Sequence, residues 1–471
     1  MKSFKYILAL TIGATLAASC DDFLEKNPIS SASEAGYYQT ADQLLTALPA
    51  CYSSLYNTYG AEGLNYYFGE IWSDECHTDN TAGQVGDTEA FDTHQGMNTS
   101  NSVVENYWEI YYQAIYRMNN IIKNASGNDA LNDLVGEARF LRALYYFDMV
   151  RMWGDIPLVT TPVSGSEAYG IARSSKSDVY QQIIDDLNYA ASNLPDKSKE
   201  RVAGAATSDA ANALLGKVYL TIGDKQNAAN ALMKVYNSGR FSLLPDYADL
   251  WSLDHKNSKE SIFEVQYKGG IGNPYSMYWA LFSPIDNRVV TAWGGGYNQP
   301  EDELYDAYTT ADGKVDARRD KSIQVGYTTA DGKFVPTKFT IKWRDDNAEV
   351  TGLREASDNN FMILRYADVL LMLSEATGDV QYMNQVQDRA GAPRTTTYSV
   401  EALLHERQLE FAFEYHRMFD LLRLGKAVST LSSCQKLGTL TFSSDDQFLL
   451  PIPQKVIDQN PNVITQNAAY K

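Results

Sequence analysis

The chain has 471 residues, 44% of them hydrophobic, and a formal charge of −19. So acidic a body gives no electrostatic footprint for DNA or RNA, and the apolar content is enough for one large core or two interleaved subdomains, which excludes disorder. Tyrosine is the compositional excess: 32 Tyr stand beside 17 Phe and 7 Trp, rings with an apolar body and, for Tyr, a wet hydroxyl, suited to amphipathic ligands.

Met1 to Cys20 reads MKSFKYILALTIGATLAASC: Lys2 and Lys5 make a cationic start, residues 6–16 an apolar run, and Ala17-Ala18-Ser19 a small-residue cleavage site. The run is too short to span a bilayer, so residues 1–19 read as a lipoprotein signal peptide and Cys20 as the lipidation site, each buried CH₂ of the acyl chains contributing roughly 0.8 kcal/mol. Leu16 lies four residues before Cys20, and the same bond suits an ordinary signal peptidase. Cleavage removes Lys2 and Lys5 and no acid, taking the charge from −19 to −21. That field predicts a neutral or weakly charged ligand unless Arg344 and Arg354 build a local cationic cleft.

Residues 20–36 form the tether, with Asp21-Asp22 after the cysteine and a helix-hostile Pro28. Residues 37–242 read as helical. Val104, Tyr107, Trp108, Tyr111, Ile115, Met118 and Ile122 place one helix over 101–123, and others follow over 131–153, over 177–194 with Ser177 as N-cap, and over 208–238. Within the last, Leu215-Gly216, Tyr219, Gly223-Asp224 and Ala228 fall at the spacing of a tetratricopeptide helix pair. Residues 243–360 change character, with Gly269-Gly270, Trp293-Gly294-Gly295-Gly296 and the turns Asp312-Gly313 and Asp331-Gly332, and strands are predicted over 261–267 and 339–343. Helices return in 361–471, over 367–376 and 401–427. The expected fold is mainly α: a tetratricopeptide-like scaffold of helix pairs carrying a loop-rich, partly β insertion, which is the candidate ligand-binding region.

Several blocks together resemble the SusD/RagB family of Bacteroidetes nutrient-binding lipoproteins: Glu137-Ala138-Arg139-Phe140-Leu141-Arg142-Ala143-Leu144-Tyr145-Tyr146-Phe147 with Gly154-Asp155-Ile156-Pro157; Leu364-Arg365-Tyr366-Ala367-Asp368; Glu406-Arg407 through Glu410 and Glu414; Arg417-Met418-Phe419-Asp420; and Leu450-Pro451-Ile452-Pro453. The resemblance implies a surface-exposed outer-membrane lipoprotein that captures oligosaccharide and passes it, as a hinged lid, to a SusC-like TonB-dependent transporter. Asp21-Asp22 is similar to the acidic export signal of such lipoproteins. The alternatives are a RagB-like peptide binder and a surface glycosidase. The family commonly has a longer second helix before Arg389-Ala390-Gly391, which puts the regularity of the last repeat in question.

Among 59 acidic residues, pairs such as Asp74 with Glu75 or Asp345 with Asp346 carry no diagnostic value, and no nucleophile elbow, His-Glu-x-x-His or phosphate loop occurs, so no catalytic residue is assigned. Glu406, Arg407, Glu410 and Glu414 stand at helical spacing and read as helix ion pairs. Cys76-His77 beside Asp74, Glu75 and Asp79 has no second Cys or His at zinc spacing, so neither metal nor cofactor is expected. Cys51, Cys76 and Cys434 read as buried thiols, with a Cys51–Cys76 bridge as the alternative. Sugar rings need aromatic faces and side-chain hydrogen bonds. Two clusters supply both: Tyr66, Trp72 and Asp74; and Tyr278, Trp279, Trp293, Tyr297, Asn298, Trp343 and Arg344. Trp293 is the first choice, its three following glycines leaving room for a ligand to approach the backbone.

Overall fold

The structure is a computed structural model that describes residues 38–79, 86–270, 272–285, 288–351 and 354–471. The signal, Cys20 and the tether before Tyr38 lie outside them.

Ten main helices carry the scaffold: α1 Ala41–Ser53, α2 Ser102–Ala125, α3 Asn132–Trp153, α4 Lys176–Asn193, α5 Ser208–Thr221, α6 Lys225–Asn237, α7 Tyr366–Thr377, α8 Val380–Ala390, α9 Val400–Phe411 and α10 Arg417–Arg423. Packing follows chain order, α1 on α2, α2 on α3, and so on through α6. Each helix therefore buries its apolar stripe against its neighbours, as a stack of helix pairs requires. The expected pair over 208–238 is α5 and α6. Gly216 sits where a Cβ would lie 2.4 Å from Leu232 Cδ2, and Asp224 caps α6 by accepting from Asn227 N. The N-cap of α4 is Ser175, not Ser177: Ser175 is extended and accepts from Asp178 N, while residues 176–178 are already helical.

The insertion leaves after α6 and returns before α7, so that α7 packs on α6 as though nothing intervened. Among the described residues eight short strands form four two-stranded sheets: β1 Cys76–His77, β2 Ser261–Val265, β3 Gln299–Pro300, β4 Ile323–Thr328, β5 Phe334–Thr340, β6 Glu349–Thr351, β7 Arg354–Ala356 and β8 Phe361–Arg365. β2 pairs antiparallel with β8 and closes the neck of the insertion, while β1 with β3 ties its far side to the N-terminal region. The expected strand over 339–343 lies earlier, β5 ending at Thr340 and Trp343 falling in the turn beyond. α8 fills the last pair over eleven residues, with Gly378 at positive φ between it and α7.

The helix expected over 401–427 breaks at 412–416. Phe413 (φ 71°) and Tyr415 (φ 65°) are both left-handed, a costly conformation for such side chains. The buried Glu70 carboxylate holds it, accepting from Phe413 N at 2.9 Å and Tyr415 N at 3.0 Å. The carboxylates at 406–414 do not form local helix pairs. They meet cations from distant segments: Arg318 contacts Glu406 at 2.6 Å and Glu410 at 2.8 Å, Arg365 contacts Glu410 at 2.5 Å and Glu414 at 2.8 Å, and Lys342 contacts Glu414 at 2.8 Å. Arg389 joins Glu260 and Glu410, and Arg407 bridges Asp368 and Asp420. Cys51, Cys76 and Cys434 are buried free thiols.

Candidate functional site

Burial separates the expected aromatic residues. Tyr66 is 0% exposed, ringed by Tyr67, Phe282 and Tyr415, and its hydroxyl accepts from Asn298 N. Trp72 packs edge-on to Phe91 and His94, and His94 Nε2 donates to Trp72 O at 2.8 Å from a neutral ring, since burial lowers His94 to about 3. Tyr278 donates to Tyr59 O at 2.6 Å and packs on Trp343, whose indole stacks on Phe361. Tyr66, Tyr278 and Trp343 therefore hold the seam between insertion and scaffold, Trp72 lies in the N-terminal core beside Phe68, Phe91 and His94, and none of the four offers an open face to a sugar. Asp74 is likewise committed: burial favours its neutral form, but the Arg417 guanidinium, bonded to both oxygens at 2.8 Å, holds it below its ordinary value.

The glycines after Trp293 also have a packing role. Cβ atoms on Gly294 and Gly295 would lie 1.7 Å from Pro284 O and 2.6 Å from Leu281 O, and Gly296 (φ +69°) abuts Asp79 and Ile285. They let this loop lie flat on the short helix Tyr278–Phe282, where Gly295 N donates to Ala280 O and Tyr297 N to Leu281 O. Asn298 is fully buried at φ 54°, and its side-chain amide meets no hydrogen-bond partner. Trp293 and Tyr297 remain half-buried, with the Arg354 guanidinium 4.4 Å from the Trp293 ring centroid.

One cleft of about 490 Å³ opens between the β4–β5 and β6–β7 hairpins and residues 289–290. Trp279 lies beneath its floor, 2% exposed and so no more open to a ligand than Trp72 or Trp343, with the exposed Arg344 guanidinium 5.7 Å from its ring centroid. Arg344 is oriented by Asp346 at 2.9 Å and by Gln324 Oε1 at 3.2 Å. Tyr327 and Glu355 complete the polar wall, and Glu355 accepts from Ala292 N, which joins the cleft to the Trp293 loop. Of the expected site residues, then, Trp279 and Arg344 come together, with Trp293 and Tyr297 on the adjoining loop. Gln324, Tyr327 and Glu355 had no sequence signal: Gln324 and Tyr327 stand three apart in β4, and both reach the cleft because the pairing is irregular between Val325 and Tyr327.

Stacked helix pairs with a loop-built cleft define a helical-repeat binding scaffold. The chain belongs to the SusD/RagB family: residues 22–220 match the family described as starch-binding and associating with the outer membrane, and residues 317–470 match the SusD family. It is 27% identical to a SusD-like protein of Formosa agariphila over 99% of this chain and 100% of that protein, and 27% identical to a SusD-like protein of Bacteroides ovatus over 90% and 82%. Among solved structures it is similar to a laminarin-binding SusD-like protein, with a TM-score of 0.79 and 28% identity over 92% of this chain and 100% of that one. A SusD superfamily protein from Bacteroides vulgatus gives 0.77 and 26% over 92% and 100%. No described helix is long and apolar enough to cross a membrane.

Proposed function

We propose that this protein is a cell-surface oligosaccharide-binding lipoprotein, held at the outer membrane by acylated Cys20, that captures glycan in its insertion and delivers it as a hinged lid to a SusC-like TonB-dependent transporter. The observation that carries the reading is the insertion cleft, where Arg344 shares one wall with Gln324, Tyr327 and Glu355 over the buried Trp279 and beside the half-buried Trp293. The half-buried Trp293 indole and the exposed Arg344 guanidinium fit a ring with C–H patches and hydroxyls, and no side chain of the cleft is placed as a nucleophile with its base. The family description and the laminarin-binding neighbour support a glycan ligand, and the acidic body favours a neutral one.

Calorimetry and affinity electrophoresis against a panel of neutral and anionic polysaccharides test this. Arg344→Ala and Trp293→Ala are expected to weaken glycan binding by about 1–3 kcal/mol each, on the scale of aromatic stacking, with little change in melting temperature. Binding of peptides without any glycan would move the reading to a peptide importer, and release of shortened glycan by the purified protein would make it a glycosidase. Cys20→Ser should abolish palmitate labelling and free the chain from the membrane fraction.

A further inference from the structure

A second, larger cleft shares no residue with the insertion. It runs along α2, walled by residues 157–171 and by the short helix Gln454–Gln459, with a volume of about 620 Å³. Past Tyr116 and Val163 it continues into a groove of about 650 Å³ that reaches Asn124. From Glu109 to Asn124 the helix rises about 22 Å, so the groove is long and open-ended, the shape of a site for a chain and not for a compact molecule.

Its floor repeats. Trp108, Tyr112 and Tyr116 stand at i, i+4 and i+8 on one face of α2, spaced about 6 Å along the axis. The Trp108 and Tyr112 centroids are 5.1 Å apart. Tyr38 and Tyr169 line the groove as well, and Tyr169 is 57% exposed, an unusual fraction for a large ring. Two amides, Gln113 and Gln459, stand exposed on the lining, while Lys455 and Glu109 neutralise each other at 2.6 Å.

Much of the backbone beside the floor is already engaged. α2 spends its N–H and C=O groups within the helix. On the facing wall Pro157 O accepts from Tyr112 Oη, Val159 O from Asn119 Nδ2 and Tyr146 Oη, Thr160 O from Arg142, and Thr161 O from Asn119. An extended peptide would rely on strand-like pairing with backbone groups, and the carbonyls of 157 and 159–161 already accept from side-chain donors. A glycan has no such obligation: its C–H faces stack on the rings while its hydroxyls stay in water or meet the amides.

We infer that the α2 groove is a second glycan site, for a stretch of linear oligosaccharide, working alongside the insertion cleft on one polymer. The inference rests on the glycan reading above and adds avidity to it, since two sites on one chain make the second contact intramolecular. The test is hydrogen exchange on the full mature chain with and without laminarin and amylose, joined to affinity electrophoresis of a Tyr116→Ala/Tyr169→Ala variant. Protection is expected both over 279–355 and over 157–171. The variant should lose the second protection and about tenfold in retention by polymer while keeping its melting temperature and its binding of short oligosaccharides. Protection confined to 279–355, with unchanged retention, overturns the second site and leaves the glycan reading intact. Protection confined to 157–171 supports the groove and removes the insertion as the capture site. Absence of protection by either glucan overturns the groove as a site for linear glucans, and binding of another panel glycan at the insertion would then keep the first reading. Tyr169→Ser, at an exposed position, repeats the measurement if the double variant does not fold.

Discussion

At the scale of single residues, Glu70 and Glu75 are the titrating centre of the molecule. Burial raises Glu70 to about 7, and burial together with the neighbouring Glu70 charge raises Glu75 well above its ordinary value. A carboxyl whose folded value exceeds its unfolded value favours folding while protonated. Its contribution is complete below the unfolded value of about 4.5 and is lost as pH rises through the folded one. Glu75→Gln is therefore expected to raise the melting temperature relative to the parent above pH 7, with the two curves converging toward pH 5. A difference that does not vary between pH 5 and 8.5 would show that the pair is uncoupled. The residue scale is also where sequence was least informative. Trp72 and Trp343 stand beside polar residues in the sequence, and only the rings of Phe91 and Phe361 packed against them decide that they are core.

At the scale of elements the sequence was readable wherever the determinant is local. The helical period of α2, the turn at Gly223-Asp224 and the small residues of the α5–α6 pair are each written within a stretch of thirty residues or fewer, and each appears in the structure close to its expected bounds. The break between α9 and α10 was not readable, because the group that stabilises Phe413 and Tyr415 is Glu70, more than three hundred residues away in the chain. Register within the insertion was lost for the same reason, β2 finding its partner in β8 across nearly a hundred residues. Gly216→Ala tests the pair packing directly. By helix propensity alone alanine would stabilise α5 by about 1 kcal/mol. The added Cβ meets Leu232 at 2.4 Å, so overpacking is expected to reverse the sign and cost about 1–3 kcal/mol, measured as a lowered melting temperature. Stabilisation would mean that Leu232 moves aside freely.

Across the whole molecule, the buried ion network joins parts that the helical stack alone does not. Arg318 comes from the insertion, Glu260 and Arg365 from its neck, Arg389 from α8, and Glu406 and Glu410 from α9. The three guanidinium groups that meet Glu410 hold its carboxyl far below the ordinary range even though burial opposes ionisation. Glu410→Gln leaves those cations in a dry interior with a neutral partner, and denaturant unfolding should show a loss of about 3–5 kcal/mol. A loss under 1 kcal/mol would mean that water reaches the network. Replacing the network with well-packed apolar residues is a different experiment, since attraction and desolvation nearly cancel in a complete buried pair.

The same network bears on how long the folded chain lasts. Its members lie between positions 260 and 414, and none can leave water profitably until the others have arrived, so these contacts are expected to form after the folding barrier, which a faster unfolding rate with an unchanged folding rate in Glu410→Gln would check. Interactions absent from the transition state leave the folding rate alone and slow the unfolding rate. Under the surface display proposed above, where proteases act and no chaperone restores an opened molecule, persistence is a matter of that escape rate, and the buried charges prolong it without asking for a larger core.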